Sequence, residues 1–198
     1  MLEAQGAVAN NVAVGSNALL DITTGSQNVA LGYRALPNMT SGDFNIGIGI
    51  DALFTETISN GSIAVGVGAL YTQAVGSDAY SFNTAVGFQS GYTNATGTGN
   101  TWLGYQAGYG GTGNNSSNVG LGYHALYAVT TGSYNAVLGQ GAAKAVTDGH
   151  NNVAIGNQAL MTSTSAGICV AIGDDAMKNG DVTSAADGTV AIGGSALL

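Results

Sequence analysis

Apolar and small residues alternate in a five-residue unit that recurs along the chain. The unit reads Asn-apolar-small-apolar-Gly, as in residues 28–32 (N-V-A-L-G) and 152–156 (N-V-A-I-G), and eleven copies or close variants occur. Successive side chains of a β-strand point to opposite faces. Each copy therefore predicts a short strand with Val, Ile or Leu on one face and a small residue on the other. Turn-forming stretches such as T-T-G-S-Q at 23–27 separate the copies.

Regular spacing of the copies predicts the fold class. The glycines that end them are 17 residues apart in seven of the ten intervals and 21, 18 and 20 apart in the others. This period is too short for helix-pair repeats of roughly 33 to 47 residues, and it suits one coil of a β-solenoid. We expect an all-β parallel solenoid of eleven coils, a rod about 50 Å long at a strand spacing of ~4.8 Å.

Stacked coils place equivalent residues above one another. The asparagines that open the copies are therefore predicted to form a ladder of side-chain amides along the rod. The ladder consists of Asn11, Asn28, Asn45, Asn83, Asn100, Asn118, Asn135 and Asn152. The glycine that ends each copy is predicted to occupy a corner with a positive φ, where a Cβ would be strained. Cys169 takes the asparagine position in a later copy, where we expect a packed structural thiol.

Charge and cysteine content exclude several classes of protein. Only 3 residues are Lys or Arg against 11 Asp or Glu, which gives a net charge of −8. So few cations cannot supply the basic surface that nucleic-acid binding requires. A single cysteine excludes a disulfide scaffold, and no apolar run approaches the ~20 residues of a membrane-spanning helix. We therefore expect neither a nucleic-acid partner nor membrane insertion.

The repeat unit resembles those of known fibre proteins. The stretch N-N-V-A-I-G-N-Q-A at 151–159 is similar to the head repeat of trimeric autotransporter adhesins. The longer stretch Y-H-A-L-Y-A-V-T-T-G-S-Y-N-A-V at 123–137 resembles the repeats of phage tail fibres and related bacterial fibre proteins. The resemblance covers residues 11–197. It implies a left-handed parallel β-roll, three chains side by side, and an adhesive or receptor-binding fibre head.

Domain organisation and assembly follow from the same repeats. We expect one solenoid domain over residues 1–198, and we interpret it as a piece of a longer fibre because both ends fall in repeat register. A homotrimer has independent support, since a single rod would leave a whole small-residue or apolar face uncovered. The alternation does not tell which face is buried, although Trp102 in the small-residue row predicts loose packing there. We expect an extracellular fibre, on a virion or a bacterial cell.

Aromatic residues form the first candidate binding surface. In five successive coils the fifth residue after the repeat glycine is aromatic, and in four coils the residue directly after it is aromatic. The first set is Phe54, Tyr71, Tyr92, Tyr109 and Tyr127, and the second is Tyr33, Phe88, Tyr105 and Tyr123. Rings with a polar tip suit the apolar faces of sugars, so these stripes predict a glycan-binding strip. The alternative is that the rings pack between chains or stack on one another.

A four-residue insertion within residues 70–83 is the second candidate. In solenoids, insertions map to loops on one face, which is often the binding face. We place Gln73, Asp78 and Tyr80 among the ligand contacts, together with Tyr71. Tolerated variation of loop length is the alternative.

We expect no enzyme activity, no cofactor and no metal site. Asp174 and Asp175 are adjacent, and neighbours on a strand point to opposite faces, so the two carboxylates do not converge as a glycoside hydrolase requires. His124 and His150 occupy different repeat positions, which disfavours a metal site or a catalytic triad that contains both.

Three functions remain. The leading hypothesis is the receptor-binding or adhesive head of a trimeric fibre, which attaches a phage or a bacterium to a cell-surface glycan or protein with the advantage of trivalency. The alternative is a structural spacer of such a fibre, without a ligand of its own. An ice-binding solenoid is the third, but it needs a regular array of threonines, and the strand units carry only Thr84 and Thr101 in such positions.

Overall fold

The computed structural model describes residues 10–76, 80–179 and 188–198, and they form a parallel β-solenoid. Eleven strands of three residues each lie side by side in chain order, so the chain completes about ten turns. The strands are β1 Val12–Val14, β2 Val29–Leu31, β3 Ile46–Ile48, β4 Ile63–Val65, β5 Thr84–Val86, β6 Thr101–Leu103, β7 Val119–Leu121, β8 Ala136–Leu138, β9 Val153–Ile155, β10 Val170–Ile172 and β11 Val190–Ile192. The described residues include no helix, and hence none that is long and apolar enough to cross a membrane. The predicted all-β parallel solenoid is confirmed.

Identical repeat positions lie opposite one another in neighbouring coils. Val29 of β2 pairs with Ile46 of β3. The register survives the four-residue insertion, because Ile63 of β4 still pairs with Thr84 of β5. The sheet therefore continues in the same register on both sides of the insertion, and columns of equivalent side chains run along the rod.

The strands turn their small central residue inwards and their two flanking residues outwards. Ala30, Ala64 and Ala154 have no exposed surface, whereas Val14 is 56% exposed and Ile192 is 67% exposed. The small-residue row is therefore the inner wall of the solenoid, and the row of Val, Ile and Leu is its outer surface.

A column of leucines explains why the inward strand residue is small. A Cβ added at Gly47 of β3 would lie 3.1 Å from Cγ of Leu36, which is completely buried. Equivalent leucines, four residues after the repeat glycine, fill the core of most coils. The alternation of the sequence leaves the two strand faces equivalent, and packing against this leucine column distinguishes them.

Trp102, the largest residue of the inward strand column, is completely buried. Three glycines leave space for its ring. A Cβ added at Gly91 or at Gly120 would lie 2.8 Å from a carbon atom of the indole, and one at Gly108 would overlap the ring. Gly91 and Gly108 stand where other coils have the core leucine, so the indole occupies volume that two leucines would fill. The loose packing expected from the sequence at this coil is therefore wrong.

The repeat glycines turn the chain out of each strand with a φ of +126° to +145°. A Cβ added at Gly104 would lie 2.5 Å from the carbonyl oxygen of Gly122 in the next coil. Glycine is thus required both by the backbone conformation and by the close approach of the next coil. This confirms the corner predicted from the sequence. Two residues further on, by contrast, Gln106 and His124 adopt left-handed conformations without a glycine.

Each ladder asparagine bonds to the coil that follows it. Asn11 Oδ1 accepts the backbone N–H of Asn28 at 2.8 Å, and Asn28 Nδ2 donates to the carbonyl oxygen of Gly42 at 2.7 Å. All eight ladder asparagines make this pair of bonds. Direct amide-to-amide bonds occur in three later coils, as from Asn135 Nδ2 to Asn118 Oδ1 at 3.0 Å. The ladder therefore links side chains mainly to the backbone of the next coil.

Replacing Gly104 with alanine should destabilise the solenoid. The added Cβ would overlap the backbone of Gly122, and alanine is strained at this φ, so we expect a loss of at least about 2 kcal/mol. Gly141 is a matched control, because it is also left-handed but its Cβ would meet only Cγ of Gln158, at 3.6 Å. Gly141→Asn should leave the melting temperature, followed by circular dichroism, nearly unchanged. Equal losses in both variants would contradict the clash.

Replacing the Trp102 side chain with two leucine side chains of the regular core column tests the packing of the core. Trp102→Ala leaves a cavity and should lower the free energy of unfolding by roughly 3–5 kcal/mol. Adding Gly91→Leu and Gly108→Leu restores the leucine column of the other coils, so the triple variant should regain most of that loss. Denaturant unfolding measures both. A triple variant no more stable than Trp102→Ala would show that these glycines do not make room for the indole.

Candidate functional site

An aliphatic surface covers one side of the rod. It is formed by the first and third residues of β1–β11, which point outwards, and we call it the aliphatic face. Of these 22 residues, 19 are Val, Ile or Leu, and the others are Thr84, Thr101 and Ala136. None carries a charge, and residues such as Leu103 and Val190 are 49% and 60% exposed. A soluble monomer rarely exposes a continuous apolar surface of this extent.

The second predicted aromatic set borders the aliphatic face, because each member follows the repeat glycine that ends a strand. Phe88, Tyr105 and Tyr123 stack in succession, with ring centroids 5.4 Å and 5.2 Å apart. Tyr33 is separated from them by Ile50 and Val67, which hold the same position in the intervening coils. All of these residues are exposed, so the set widens the apolar surface.

The first predicted aromatic set forms one continuous stack, which we call the tyrosine stack. Its members are Phe54, Tyr71, Tyr92, Tyr109 and Tyr127. Their successive ring centroids are 4.9, 4.9, 5.4 and 5.1 Å apart, and neighbouring rings are within 12° of parallel. All five residues are half-buried. Burial, followed by the neighbouring Tyr71 and Tyr109, raises the pKa of Tyr92, so its hydroxyl stays protonated at neutral pH.

Cations cover both ends of the tyrosine stack. The guanidinium carbon of Arg34 lies 4.9 Å from the ring centroid of Phe54, and Asp51 holds that guanidinium with two hydrogen bonds of 2.8 Å. Lys144 Nζ lies 5.9 Å from the ring centroid of Tyr127. Because the rings cover one another, a sugar cannot lie flat on the inner ones as the sequence analysis expected. The stack offers ring edges and hydroxyl groups instead.

A hydrogen-bonded column that the sequence analysis missed lies between the two aromatic sets. It consists of Gln89, Gln106 and His124, each two residues after a repeat glycine, and we call it the amide column. Gln106 Nε2 donates to Gln89 Oε1 at 2.7 Å, and His124 Nε2 lies 3.0 Å from Gln106 Oε1. The His124 ring centroid is 4.0 Å from that of Tyr123 and 4.7 Å from that of Tyr127, one ring of each set. Stacking the second residue after each glycine would have revealed this column.

Gln73 is part of the core and not of a binding loop. Its side chain has no exposed surface, which corrects its assignment as a ligand contact. Gln73 Nε2 donates to Ser62 Oγ at 2.7 Å and to Glu56 Oε2 at 3.2 Å, and Gln73 Oε1 accepts a bond from Asn83 Nδ2. The amide is drawn inside because it completes the hydrogen bonds of these other buried polar groups.

The remaining loop contacts have different outcomes. Tyr80 is 52% exposed, and its ring stacks on that of Phe82 with centroids 4.9 Å apart. Asp78 lies outside the described residues. The described part of the insertion therefore contributes one exposed aromatic pair, Tyr80 and Phe82, in addition to Tyr71 of the tyrosine stack.

The acidic residues and the cysteine have structural partners. Asp174 Oδ1 accepts a bond from Asn157 Nδ2, and Asp175 Oδ2 accepts one from Lys178 Nζ. Cys169 is completely buried, which confirms the packed thiol expected from the sequence. Within residues 10–76, 80–179 and 188–198, no group of three His, Cys, Asp or Glu side chains could hold a metal ion.

Comparison of the chain with protein-family models, with curated proteins and with solved structures finds no match. What the protein does is therefore inferred from the aliphatic face, the tyrosine stack, the amide column and the repeat motifs.

The surroundings of His124 predict how it titrates. Burial, followed by the positive charge of Lys144, lowers the pKa of His124 below its ordinary 6.5. The folded state thus favours the neutral ring, and the unfolded chain binds the proton first as pH falls through about 6.5, so this histidine makes the fold less stable at lower pH. Lys144→Gln should raise the pKa of His124 part of the way back, because burial remains.

A titration of the histidine ring protons by nuclear magnetic resonance measures that shift. Lys178→Gln removes the same charge elsewhere on the rod and should leave the pKa of His124 unchanged. An unchanged pKa in Lys144→Gln, or an equal rise in both variants, would refute the electrostatic coupling.

Proposed function

We propose that the chain forms a rod-shaped segment of a homotrimeric extracellular fibre, carried by a virion or a bacterial cell, which attaches its bearer to a cell-surface glycan or protein. The uncovered aliphatic face is the observation that carries this proposal. The fibre proteins that the repeats resemble imply a left-handed roll with three chains side by side, and we propose the same arrangement here.

The extent of the aliphatic face suits contact with copies of the same chain. Eleven strands at ~4.8 Å spacing, each about 10 Å long, make a surface of roughly 500 Å² before the bordering rings are added. The bordering rings bring it towards the ~800 Å² that each partner buries in a standard stable interface. A threefold axis lets every chain use the same face, and the three aliphatic faces then cover one another along the rod.

Charge is distributed in a way that favours this contact. The aliphatic face contains no Asp, Glu, Lys or Arg, so three chains of net charge −8 can meet there without burying a charge. Acidic residues such as Asp43 and Asp148 lie in the segments between strands. They keep the assembly soluble and apart from other copies.

Attachment is assigned to the side of the rod next to this contact. The tyrosine stack and the amide column lie beyond the aromatic set that borders the aliphatic face, so packing of the aliphatic faces leaves them accessible. A trimer presents three such strips along one direction, and simultaneous contacts would convert weak single-site binding into firm attachment.

A spacer without a ligand is the second candidate. The observation that favours it is that the ring faces of the tyrosine stack already have partners within the chain. The rings cover one another, and Arg34 and Lys144 cover the two ends. In this case the stack only stiffens the rod. Screening the assembled protein against arrays of glycans and of cell-surface proteins separates the candidates, because a spacer binds none of them.

The mass of the protein in solution tests the assembly. Light scattering on a sizing column should give about three times the 19.5 kDa of one chain. Val86→Asp with Leu103→Asp places charges in the middle of the aliphatic face and should yield monomers with an unchanged circular dichroism spectrum, because a buried unpaired charge costs several kcal/mol.

Leu20→Asp is the matched control for these variants. Leu20 is 58% exposed, like the residues of the aliphatic face, but it lies outside the strands. This variant should keep the trimer mass. A parent protein that runs as a folded monomer would overturn the fibre proposal, and loss of the trimer in Leu20→Asp would overturn the assignment of the face.

A further inference from the structure

We propose that the tyrosine stack and the amide column bind a neutral β-1,4-linked polysaccharide chain, which lies extended along the rod with one sugar unit per coil. This inference rests on the proposed attachment function, and it names the chemical class, the direction and the length of the ligand.

The hydroxyl groups of the stack form a regular row of hydrogen-bonding sites. Those of Tyr71, Tyr92, Tyr109 and Tyr127 form no hydrogen bond with another described residue, and none is among the buried unpaired polar atoms, so solvent reaches all four. Stacking fixes the rings at intervals of 4.9 to 5.4 Å. A ligand that meets this row pays little ordering entropy on the protein side, because the rings are already in place.

The interval between rings selects among linear polymers. An extended peptide advances by about 3.3 Å per residue and repeats the same side after about 6.6 Å, so it loses register with the row within a few coils. A nucleic-acid strand advances by about 3.4 Å per nucleotide and would be repelled by a chain of net charge −8. One hexose of an extended β-1,4-linked chain is almost as long as one coil is thick. Alternate sugars are turned over, so the same edge of the sugar returns at every second coil and stays in register along the stack.

The absence of charge along the middle of the strip, from Tyr92 to His124, indicates a neutral ligand. Residues 79–143 include no Asp, Glu, Lys or Arg. The polar groups beside the stack are instead the amides of Gln89 and Gln106 and the imidazole of His124, which donate to and accept from neutral hydroxyl and acetamido groups.

The length of the strip follows from its ends. Arg34 covers the ring of Phe54 and Lys144 covers the ring of Tyr127, so the stack spans five coils. Four of these coils contribute a tyrosine hydroxyl, and the coil of Phe54 contributes a ring edge only. Each additional sugar should therefore add contacts until the chain is about five units long, and further units should add little.

Calorimetric titration of the assembled protein with purified oligosaccharides tests the proposal. Cello-oligosaccharides and N-acetylated chito-oligosaccharides, from disaccharide to octasaccharide, should bind with an affinity that rises to about the pentasaccharide and then levels off. Maltohexaose has the glucose units of cellohexaose in α-1,4 linkage and coils instead of extending, so it should not bind. Equal binding of maltohexaose, or an affinity independent of chain length, would overturn the proposal.

Variants that keep the rings but remove hydroxyl groups test the site itself. Tyr92→Phe with Tyr109→Phe preserves the stack and should weaken binding of cellohexaose or chitohexaose roughly tenfold or more through the lost hydrogen bonds. Tyr134→Phe also removes one tyrosine hydroxyl, but Tyr134 is 64% exposed and lies outside the strip, so this variant should leave the affinity unchanged. Unchanged affinity in the double variant would place the site elsewhere.

Failure of this inference differs from failure of the attachment function. If the assembled protein binds other glycans or proteins on an array but neither β-1,4-linked series, the ligand class is wrong and attachment stands. If it binds nothing at all, both fall and the spacer is supported.

Discussion

Every part of this rod depends on one constraint, the unbroken register that sets equivalent residues of successive coils one strand spacing apart. Backbone hydrogen bonds enforce it outside the strands as well as within them, as from Thr40 N–H to the carbonyl oxygen of Thr57 at 2.7 Å. The principal neighbour of each side chain is therefore the side chain at the equivalent position of the next coil. Residues that bond to or stack on copies of themselves are favoured, which accounts for columns of asparagine and tyrosine, while a column of like charges would repel itself.

In the interior, a change in side-chain size or polarity at one position is compensated by changes at positions in contact with it. Trp102 is accommodated because Gly91 and Gly108 give up the volume of a leucine each, so the total filling is kept although three positions depart from the repeat. Polar exceptions are balanced in the same way. The buried carboxylate of Glu56 accepts backbone N–H groups of its own turn, and Gln73 in the next coil donates to its other oxygen. An irregular residue in this core is thus explained by the coil above or below it.

Much of this architecture could be predicted from the sequence, because the repeat states the register directly. The strands, the column of asparagines and the need for the repeat glycines follow from stacking alone, whereas the backbone partners of the asparagines do not. Which strand face points inwards could not be predicted, since Ala and Val are both apolar and only packing against the leucine column distinguishes the two faces. Gln73 was misplaced because an insertion suggests a surface loop, whereas its amide satisfies buried partners. The position of Gln106 and the covered faces of the tyrosine rings depend on side-chain contacts between coils, which spacing alone does not give.

The bond from each ladder asparagine has a consequence for how such a rod evolves. Its acceptor oxygen takes a backbone N–H, which every residue except proline provides, and so Asn45 and Asn152 serve Ser62 and Cys169 as well as they would serve another asparagine. A substitution at the ladder position of one coil therefore leaves intact the hydrogen bond from the asparagine of the preceding coil. Gene duplication or loss of one whole repeat joins the same partners again, so natural selection can lengthen or shorten the rod in equal steps while each coil acquires its own surface.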